Sequence, residues 1–164
     1  MRRIIIFGNS GSGKSTLAKG LAAANDLAHL DLDRLAWLPA PPPRRRRLSD
    51  STRDMDAFMA AHGAWVIEGC YSDLIEFALP WATEVVFLDL PVADCIANAR
   101  ARPWEPHKYT SKAAQDSNLP MLEAWITAYG IRDDTFSRSA HQALYDAFPF
   151  RKTRLTVNAD PTVF

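Results

Sequence analysis

The chain has 164 residues, of which 48% are hydrophobic, and its formal net charge is zero. This length supports one well-buried core and is too short for two ordinary domains, so we expect a single domain over residues 1–164. A balanced charge gives no electrostatic case for wholesale binding to nucleic acid, and no apolar stretch approaches the length of a membrane span.

The first predicted elements are a strand over residues 2–7 and a helix from Lys14 to about Ala24. Ile4 to Phe7 form a continuous apolar run, which is typical of a parallel strand buried on both faces. The turn between strand and helix fits the phosphate-binding pattern G-x-x-x-x-G-K-[ST]. The residues of this turn and of the helix start that we expect to bind the ligand are Gly8, Asn9, Ser10, Gly11, Ser12, Gly13, Lys14, Ser15 and Thr16.

The chemistry of this turn predicts a site for a nucleoside triphosphate. Free N–H groups at a helix N-terminus bind anions, and glycines let the main chain approach phosphate oxygens closely. Lys14 is placed to reach the terminal phosphates, and the Ser15 hydroxyl is placed to hold Mg²⁺. A dinucleotide fingerprint is the nearest rival, but its spacing would put Thr16 where the third glycine belongs.

Strand and helix signals alternate along the rest of the chain, which predicts an α/β fold with a parallel sheet covered by helices on both faces. Further strands are expected over residues 27–31, 65–67, 84–89 and 154–157. Further helices are expected from a cap at Ser49 or Asp50 to His62, over 72–80, from Pro91 to Arg102, around 122–129 and over 134–147. Residues 38–43 carry four prolines, and residues 103–116 are polar and irregular.

Two features of the sequence predict a cytoplasmic location. The chain leads straight into its first strand without a signal-like segment. Its two cysteines, Cys70 and Cys95, lack the spacing of metal ligands and are expected to be free thiols in a reducing compartment.

Asp31 and Asp33 end the second predicted strand, at the edge where open α/β sheets place their ligands. Alternate residues of an extended segment point the same way, so both carboxylates can face one site. One carboxylate could position a metal through its bound water while the other accepts the proton of an incoming hydroxyl. Alternatively, the two residues cap a short helix near Arg34.

A phosphate loop after the first strand and D-x-D at the end of the second resemble shikimate kinase and its gluconate and adenylate kinase relatives. The resemblance implies a three-layer P-loop fold with five parallel strands in the order 2-3-1-4-5, a helical lid and ATP as donor. It also implies that Asp31 assists Mg²⁺ and that Asp33 contacts the acceptor. A closer resemblance, to bacterial adenylate-kinase-related or DNA topology modulation proteins, is carried by His29-Leu30-Asp31, Trp37-Leu38-Pro39 and Trp65 to Ser72.

The resemblance implies that a lid spans about residues 100–116. Arg100 and Arg102 correspond to lid arginines that stabilise the charge of the transferring phosphoryl group. Arginines near the end of a helix also complement its dipole, which is an alternative role for both. Within the lid, His107 and Lys108 could contact acceptor or phosphate, or could be ordinary exposed polar residues.

The acceptor side of the site is expected over about residues 34–63. Arg53 falls in the helix where shikimate kinases carry an arginine for the substrate carboxylate. Gly69 could offer its N–H to the acceptor or the γ-phosphate, or could simply form a strand-end turn. Arg132 is a further candidate contact with substrate or phosphate. Residues 158–161 follow the last strand, where related kinases surround adenine with main-chain groups.

The sequence therefore predicts a kinase that uses ATP and Mg²⁺ to phosphorylate a small metabolite bearing a hydroxyl or phosphate group. It departs from the proline- and arginine-containing motif of adenylate kinases and from the triple glycine of shikimate kinases after the third strand, so the acceptor stays open, as does the oligomeric state. The alternative is a nucleotide-binding regulatory protein that hydrolyses ATP without transfer. The run Arg44 to Arg47 could serve an anionic acceptor, nucleic acid or simply the solvated surface. A nucleic-acid partner is not expected.

Overall fold

The computed structural model describes residues 1–160, in which strands and helices alternate. Within these residues the five strands are β1 (Arg3–Gly8), β2 (Ala28–Asp31), β3 (Trp65–Gly69), β4 (Glu84–Leu88) and β5 (Arg151–Leu155). Over the same residues the seven α-helices are α1 (Lys14–Asn25), α2 (Asp33–Ala36), α3 (Leu48–Ala61), α4 (Ser72–Ala78), α5 (Val92–Ala101), α6 (Lys112–Thr127) and α7 (Arg138–Ala147). Short 3-10 turns follow α4 at Leu79–Trp81 and α6 at Ala128–Gly130.

The strands form one parallel sheet in the order β2-β3-β1-β4-β5. This confirms the predicted fold class and strand order. β1 lies at the centre of the sheet, and its residues Ile4 to Phe7 are fully buried. A central parallel strand has helices over both faces, which explains why its sequence is apolar without alternation.

Helices cover both faces of the sheet and enclose two hydrophobic clusters. Ile5 and Phe7 belong to the cluster that β1 shares with residues of α3, α4 and α7. Ile4 and Ile6 belong to the other cluster, together with residues of α1, α5 and α6. Because successive side chains of a strand point to opposite faces, these alternate residues of β1 fix a three-layer arrangement.

Some predicted boundaries were wrong. β5 spans Arg151–Leu155 rather than residues 154–157, because it is an edge strand whose exposed residues are polar and give no apolar signal. α6 begins at Lys112, so the end of the predicted lid is helical. Ser111 caps this helix by accepting a hydrogen bond from the Ala114 N–H at 3.0 Å. The irregular part of the lid is residues 102–111.

The starts of two other helices also differ from the predictions. α3 begins at Leu48 without a capping side chain, rather than after a cap at Ser49 or Asp50. α7 begins at Arg138 and is capped by Ser137, whose hydroxyl accepts from the Ala140 N–H at 3.1 Å. No helix within residues 1–160 is long and apolar enough to cross a membrane.

Candidate active site

The phosphate-loop residues connect β1 to α1 at the carboxyl edge of the sheet. Gly11 and Gly13 have φ angles of 76° and 87°, a conformation that residues with a Cβ rarely adopt. A Cβ on Gly11 would lie 2.3 Å from the Cys95 carbonyl oxygen, so α5 packs directly against the loop. Glycine is required at this position by both backbone conformation and space.

Hydrogen bonds to α5 and α6 hold the loop in place. Asn9 is buried and donates from Nδ2 to the Ile126 carbonyl of α6 at 3.1 Å. Asn98 of α5 donates to the Gly11 carbonyl at 2.8 Å and to Asn158 Oδ1 at 2.7 Å. The segment after β5 is therefore tied to the loop, although the last residue of the predicted adenine contact at 158–161 lies outside the described residues.

The polar side chains of the loop differ in their surroundings. Lys14 Nζ donates to the Asn9 carbonyl at 2.7 Å, so the ammonium group lies over its own loop. Ser12 is fully buried, and its hydroxyl has no hydrogen-bond partner among the described residues. Ser10 and Ser15 are half-buried, and Thr16 is exposed.

Asp31 and Asp33 meet a third carboxylate at the ends of β2 and β3. Asp31 is paired in register with Glu68, which is 1% exposed and whose Oε1 has no hydrogen-bond partner within residues 1–160. His29 Nε2 lies 3.6 Å from this oxygen. Burial raises the pKa of Asp31, and the neighbouring carboxylates of Glu68 and Asp33 raise it further.

This cluster fits a hard cation held mainly by oxygen. Its donor atoms are carboxylate oxygens, and the buried Glu68 Oε1 has no hydrogen-bond partner within residues 1–160. Ser15 follows Lys14 in the phosphate loop and is half-buried. No group of three or more His, Cys, Asp or Glu side chains in residues 1–160 could hold a metal alone. Mg²⁺ commonly binds through one or two protein groups, waters and substrate phosphates, so the residues present are compatible with it.

Asp31 also forms a local hydrogen bond just before α2. Its Oδ1 accepts from the Asp33 N–H at 2.9 Å, whereas the N-cap position of α2 is Leu32, which has no side-chain cap. This turn and metal support by Asp31 are compatible because a carboxylate has two oxygens and several lone pairs.

Asp33 is held between the body of the protein and the lid. Tyr71 donates its hydroxyl hydrogen to Asp33 Oδ1 at 2.5 Å, and Lys108 Nζ lies 3.4 Å from Oδ2. Burial alone would raise the pKa of Asp33, but Lys108, the Tyr71 hydrogen bond and the Lys14 ammonium together lower it. Asp33 is therefore ionised at neutral pH and lies within the electrostatic influence of the phosphate-loop lysine.

The irregular lid reaches Asp33 through a chain of charges. Arg102 lies 3.4 Å from Glu105, which in turn lies 3.6 Å from Lys108. Burial would lower the pKa of Lys108, but Asp33 and Glu105 outweigh it and raise the pKa. Lys108 thus contacts the candidate site residue Asp33, whereas sequence reasoning also allowed it to be an ordinary surface residue.

Three predicted site arginines make contacts away from the Asp33 cluster. Arg100 forms a two-bond ion pair with Glu123, at 2.6 and 3.1 Å, and its side chain is 62% exposed. Arg53 lies 3.4 Å from Asp50 on the exposed side of α3. Arg132 stacks on Trp125 at 3.5 Å from the ring centroid. Roles for these three in substrate binding would require them to exchange partners, and they stay predictions.

Gly69 is required by packing whatever else it does. An added Cβ would lie 2.9 Å from the Leu32 Cβ and 3.1 Å from Tyr71 Cδ2. Both distances are too short for unstrained contact, so a side chain at this position would push Leu32 or Tyr71 out of place. This is a structural reason for the glycine at the end of β3, beside the predicted role of its N–H.

Sequence reasoning missed an arginine cluster beside the phosphate loop. Asp89 directly follows β4, which is paired with β1 through Leu88 and Gly8. Arg138 of α7 donates to both oxygens of Asp89 at 2.8 and 2.7 Å, and Arg154 of β5 pairs with the same carboxylate. The position of Asp89 at the end of a central strand was the available signal.

A cavity of about 400 Å³ lies in the segment predicted to form the acceptor side, lined by Leu38, Arg44, Arg45, Arg47 and Asp50. Arg45 stacks over the Tyr71 ring at 4.9 Å and pairs with Asp73 at 3.0 Å. Arg46 pairs with Asp54 at 2.7 Å. Arg44 and Arg47 are exposed and form no ion pair within residues 1–160, so they give the cavity a positive charge.

Comparisons with known proteins find similar solved structures but no match by sequence. No family model matches the chain, and no curated protein matches it. A sugar kinase from Janibacter sp. HTCC2649 superposes with a TM-score of 0.54 at 16% identity, over 99% of this chain and 89% of its own. A gluconokinase from Sinorhizobium meliloti 1021 gives 0.52 at 15% identity, covering 99% and 86% of the two chains. Shikimate kinase from Aquifex aeolicus gives 0.54 at 15% identity, covering 99% and 90%.

At these identities the likeness concerns the fold alone. The chain has the three-layer fold and strand order found in these P-loop kinases. The comparisons lend no support to the closer resemblance to DNA topology modulation proteins.

Proposed function

We propose that the protein is a phosphotransferase that uses ATP and Mg²⁺ to phosphorylate a small metabolite. The observation that carries this proposal is the position of Asp33. An ionised carboxylate lies within the electrostatic influence of the phosphate-loop Lys14 and is contacted by a lid lysine. A carboxylate in this position can orient the attacking hydroxyl of an acceptor and take its proton. A nucleotide hydrolase also needs a group that orients its attacking water, so the dependence of ADP release on an acceptor distinguishes the two reactions.

The residues of the chain have separate tasks in this scheme. ATP supplies the phosphoryl group, and bound Mg²⁺ would supply positive charge that neutralises the phosphates. The loop amides bind the phosphates, and Lys14 leaves the Asn9 carbonyl to reach the terminal phosphate. Ser15 and Asp31 support the metal. Asp33 orients the acceptor hydroxyl and accepts its proton.

The lid completes the site in this proposal. Segment 102–111 already contacts Asp33 through Lys108, so closure over the acceptor needs no large movement of this segment. A closed lid excludes water, which would otherwise compete with the acceptor for the phosphoryl group. Arg100 and Arg102 are proposed to bind the transferring phosphoryl group after leaving Glu123 and Glu105.

The acceptor side favours an anionic metabolite. The positive cavity contains Arg44 and Arg47, and Arg45 connects it to Tyr71 beside Asp33. A carboxylate or phosphate bound there would balance these two guanidinium groups, which form no ion pair with any described residue. These arginines are better placed for this role than Arg53, which pairs with acidic residues of its own helix.

A regulatory role resembling the DNA topology modulation proteins is the alternative function. It is favoured only by the exposure of Arg44 and Arg47, while Arg45 and Arg46 are occupied by Asp73 and Asp54. Such a protein would hydrolyse ATP without an acceptor. The proposed cytoplasmic location is supported by the free thiols of Cys70 and Cys95.

The proposal is tested by a screen followed by one substitution. Sugar acids, shikimate-like alcohols and nucleoside monophosphates are each screened for ADP release above the rate without acceptor. With a positive acceptor, Asp33→Asn is expected to lower kcat by at least about 100-fold and to leave ATP affinity nearly unchanged, because Asp33 acts on the acceptor and not on the nucleotide.

Asp56→Asn is the matched control for this test, because Asp56 is an exposed carboxylate on α3. It is expected to retain wild-type turnover. Unchanged turnover in Asp33→Asn would remove Asp33 from the reaction. ADP release that no acceptor increases would favour the hydrolytic alternative.

A further inference from the structure

Tyr71 connects Asp33, the aspartate proposed to act on the acceptor hydroxyl, to the segment that follows α2. Trp37 Nε1 lies 2.7 Å from the Tyr71 hydroxyl oxygen, which lies 2.5 Å from Asp33 Oδ1. Asp33 is the first residue of α2 and Trp37 directly follows this helix, whereas Tyr71 follows β3. The tyrosine thus fastens both ends of this short helix to the central part of the sheet.

The chemistry of the three groups fixes the direction of these hydrogen bonds. An indole N–H can only donate, so the Tyr71 oxygen accepts from Trp37. An ionised carboxylate can only accept, so the single hydroxyl hydrogen of Tyr71 is donated to Asp33. Burial, the neighbouring Cys70 and Asp33 itself raise the pKa of Tyr71 well above its usual range, so the hydrogen stays on the phenol.

Packing holds the Tyr71 ring in the orientation that this chain requires. The residue is 3% exposed, and Phe136 packs edge-on against it with ring centroids 5.4 Å apart. The Arg45 guanidinium lies 4.9 Å from the ring centroid. Tyr71 Cδ2 also lies 3.1 Å from the position that a Cβ of Gly69 would take, so the glycine makes room for the ring. These contacts restrict movement of the ring and therefore of its hydroxyl.

We propose that Tyr71 is a positioning residue whose hydroxyl fixes the Asp33 carboxylate so that Oδ2 is presented to the acceptor hydroxyl. The inference rests on the proposed function. Oδ2 is the oxygen near Lys108, on the side that the lid covers. Without the Tyr71 hydroxyl, the carboxylate can rotate and offer either oxygen to Lys108, so fewer molecules hold it in the productive orientation.

A purely structural role predicts a different outcome. In that case the hydrogen bonds only fasten Trp37 and its neighbouring segment, where Trp37 forms a bridge with Arg45. Removing the Trp37–Tyr71 hydrogen bond or the Tyr71–Asp33 hydrogen bond would then lower the free energy of unfolding by similar amounts. Neither change would affect kcat selectively.

The test compares Tyr71→Phe, Trp37→Phe and the control Tyr145→Phe, using the acceptor identified by the screen. Tyr71→Phe keeps the ring and is expected to lower kcat by about 10- to 100-fold, the usual effect of a misplaced reacting group. Its KM for ATP should stay within about twofold, because the phosphate loop is untouched. Trp37→Phe keeps the bond to Asp33 and should lower kcat less. Tyr145 lies on α7 against Phe87, and its phenylalanine variant should behave as wild type.

A second readout measures the Tyr71–Asp33 bond without turnover. A double-mutant cycle uses the unfolding equilibrium constant. The effect of Tyr71→Phe and Asp33→Ala together on this constant is expected to differ about tenfold from the product of their separate effects. Independent effects, an unchanged kcat in Tyr71→Phe, or equal losses of kcat in Tyr71→Phe and Trp37→Phe would each overturn the positioning role. Absence of transfer by the wild-type protein would instead refute the proposed function and the inference together, so the two failures are distinguishable.

Discussion

At the scale of single residues, two glycines of the phosphate loop are required for different reasons. Gly11 and Gly13 share a left-handed backbone conformation, but their surroundings differ. A Cβ at Gly11 would meet the Cys95 carbonyl at 2.3 Å, whereas a Cβ at Gly13 would have no neighbouring heavy atom of residues 1–160 within 4 Å. The loop pattern contains glycine at both positions for the same apparent reason. The structure shows that a side chain at Gly13 would strain only the backbone, whereas one at Gly11 would also clash with α5.

This difference predicts unequal losses of stability. Gly13→Ala is expected to reduce the free energy of unfolding by ~1–2 kcal/mol, the cost of holding alanine at positive φ. Gly11→Ala is expected to lose at least ~1 kcal/mol more, because α5 must also shift. Denaturant unfolding without nucleotide measures both variants. Equal losses would show that α5 does not press on the loop in solution.

The site residues differ in how far they could be predicted. The position of Asp33 was predictable because it follows the carboxyl end of a strand, at the edge of the sheet where ligands bind. Its partners Tyr71 and Lys108 were not, because they lie 38 and 75 residues further along the chain and meet Asp33 only through the fold. Lys108 lies in an irregular segment, and such segments have no periodicity from which their path could be predicted.

At the scale of elements, the predictions succeeded where burial shaped the sequence. The central strands were recognised because both of their faces are covered, which leaves a continuous apolar run. β5 was misplaced by three residues at its start because edge strands tolerate charges such as Arg151 and Lys152. The start of α6 was missed because Ser111 caps it within a polar stretch, where a cap resembles any other loop serine.

The lid is the element whose behaviour the structure predicts most specifically. Its Lys108 pairs with Asp33, while Gln115 and Asn118 of α6 hold it from the other side by contacts to Glu105 and Tyr109. Within residues 1–160, the lid is therefore held by hydrogen bonds to α6 and by one ion pair to Asp33. Removing that ion pair should loosen the lid without unfolding it.

Lys108→Met is expected to increase amide hydrogen exchange in residues 103–110 by about two- to fivefold, which corresponds to the loss of a partly exposed ion pair. Lys112→Met is the matched control, because Lys112 pairs only with Asp116 on its own helix within the described residues. It should leave lid exchange unchanged. If Lys108→Met also left the exchange unchanged, the Lys108–Asp33 contact would not be holding the lid in solution.

At the scale of the whole molecule, the parallel sheet brings together residues that are far apart in sequence. The carboxyl ends of β1, β2 and β3 are neighbours, so the phosphate loop, the Asp31–Asp33 segment and Tyr71 meet at one edge. Alternating strand and helix signals were sufficient to predict this arrangement. The acceptor was not predictable, because the same fold supports sugar, gluconate and shikimate kinases and specificity depends on individual side chains of the acceptor segment.

The central claim is that the loop amides and the Lys14 ammonium bind the phosphates of a nucleotide. Titration calorimetry of the purified protein with ATP and Mg²⁺ tests it most directly. We expect one saturable site, weakened at least about tenfold by Lys14→Ala because a charge-assisted contact is lost. Lys19→Ala, at an exposed position on the same helix, should bind as wild type does. No binding heat with the wild-type protein, or equal affinities for wild type and Lys14→Ala, would contradict the account.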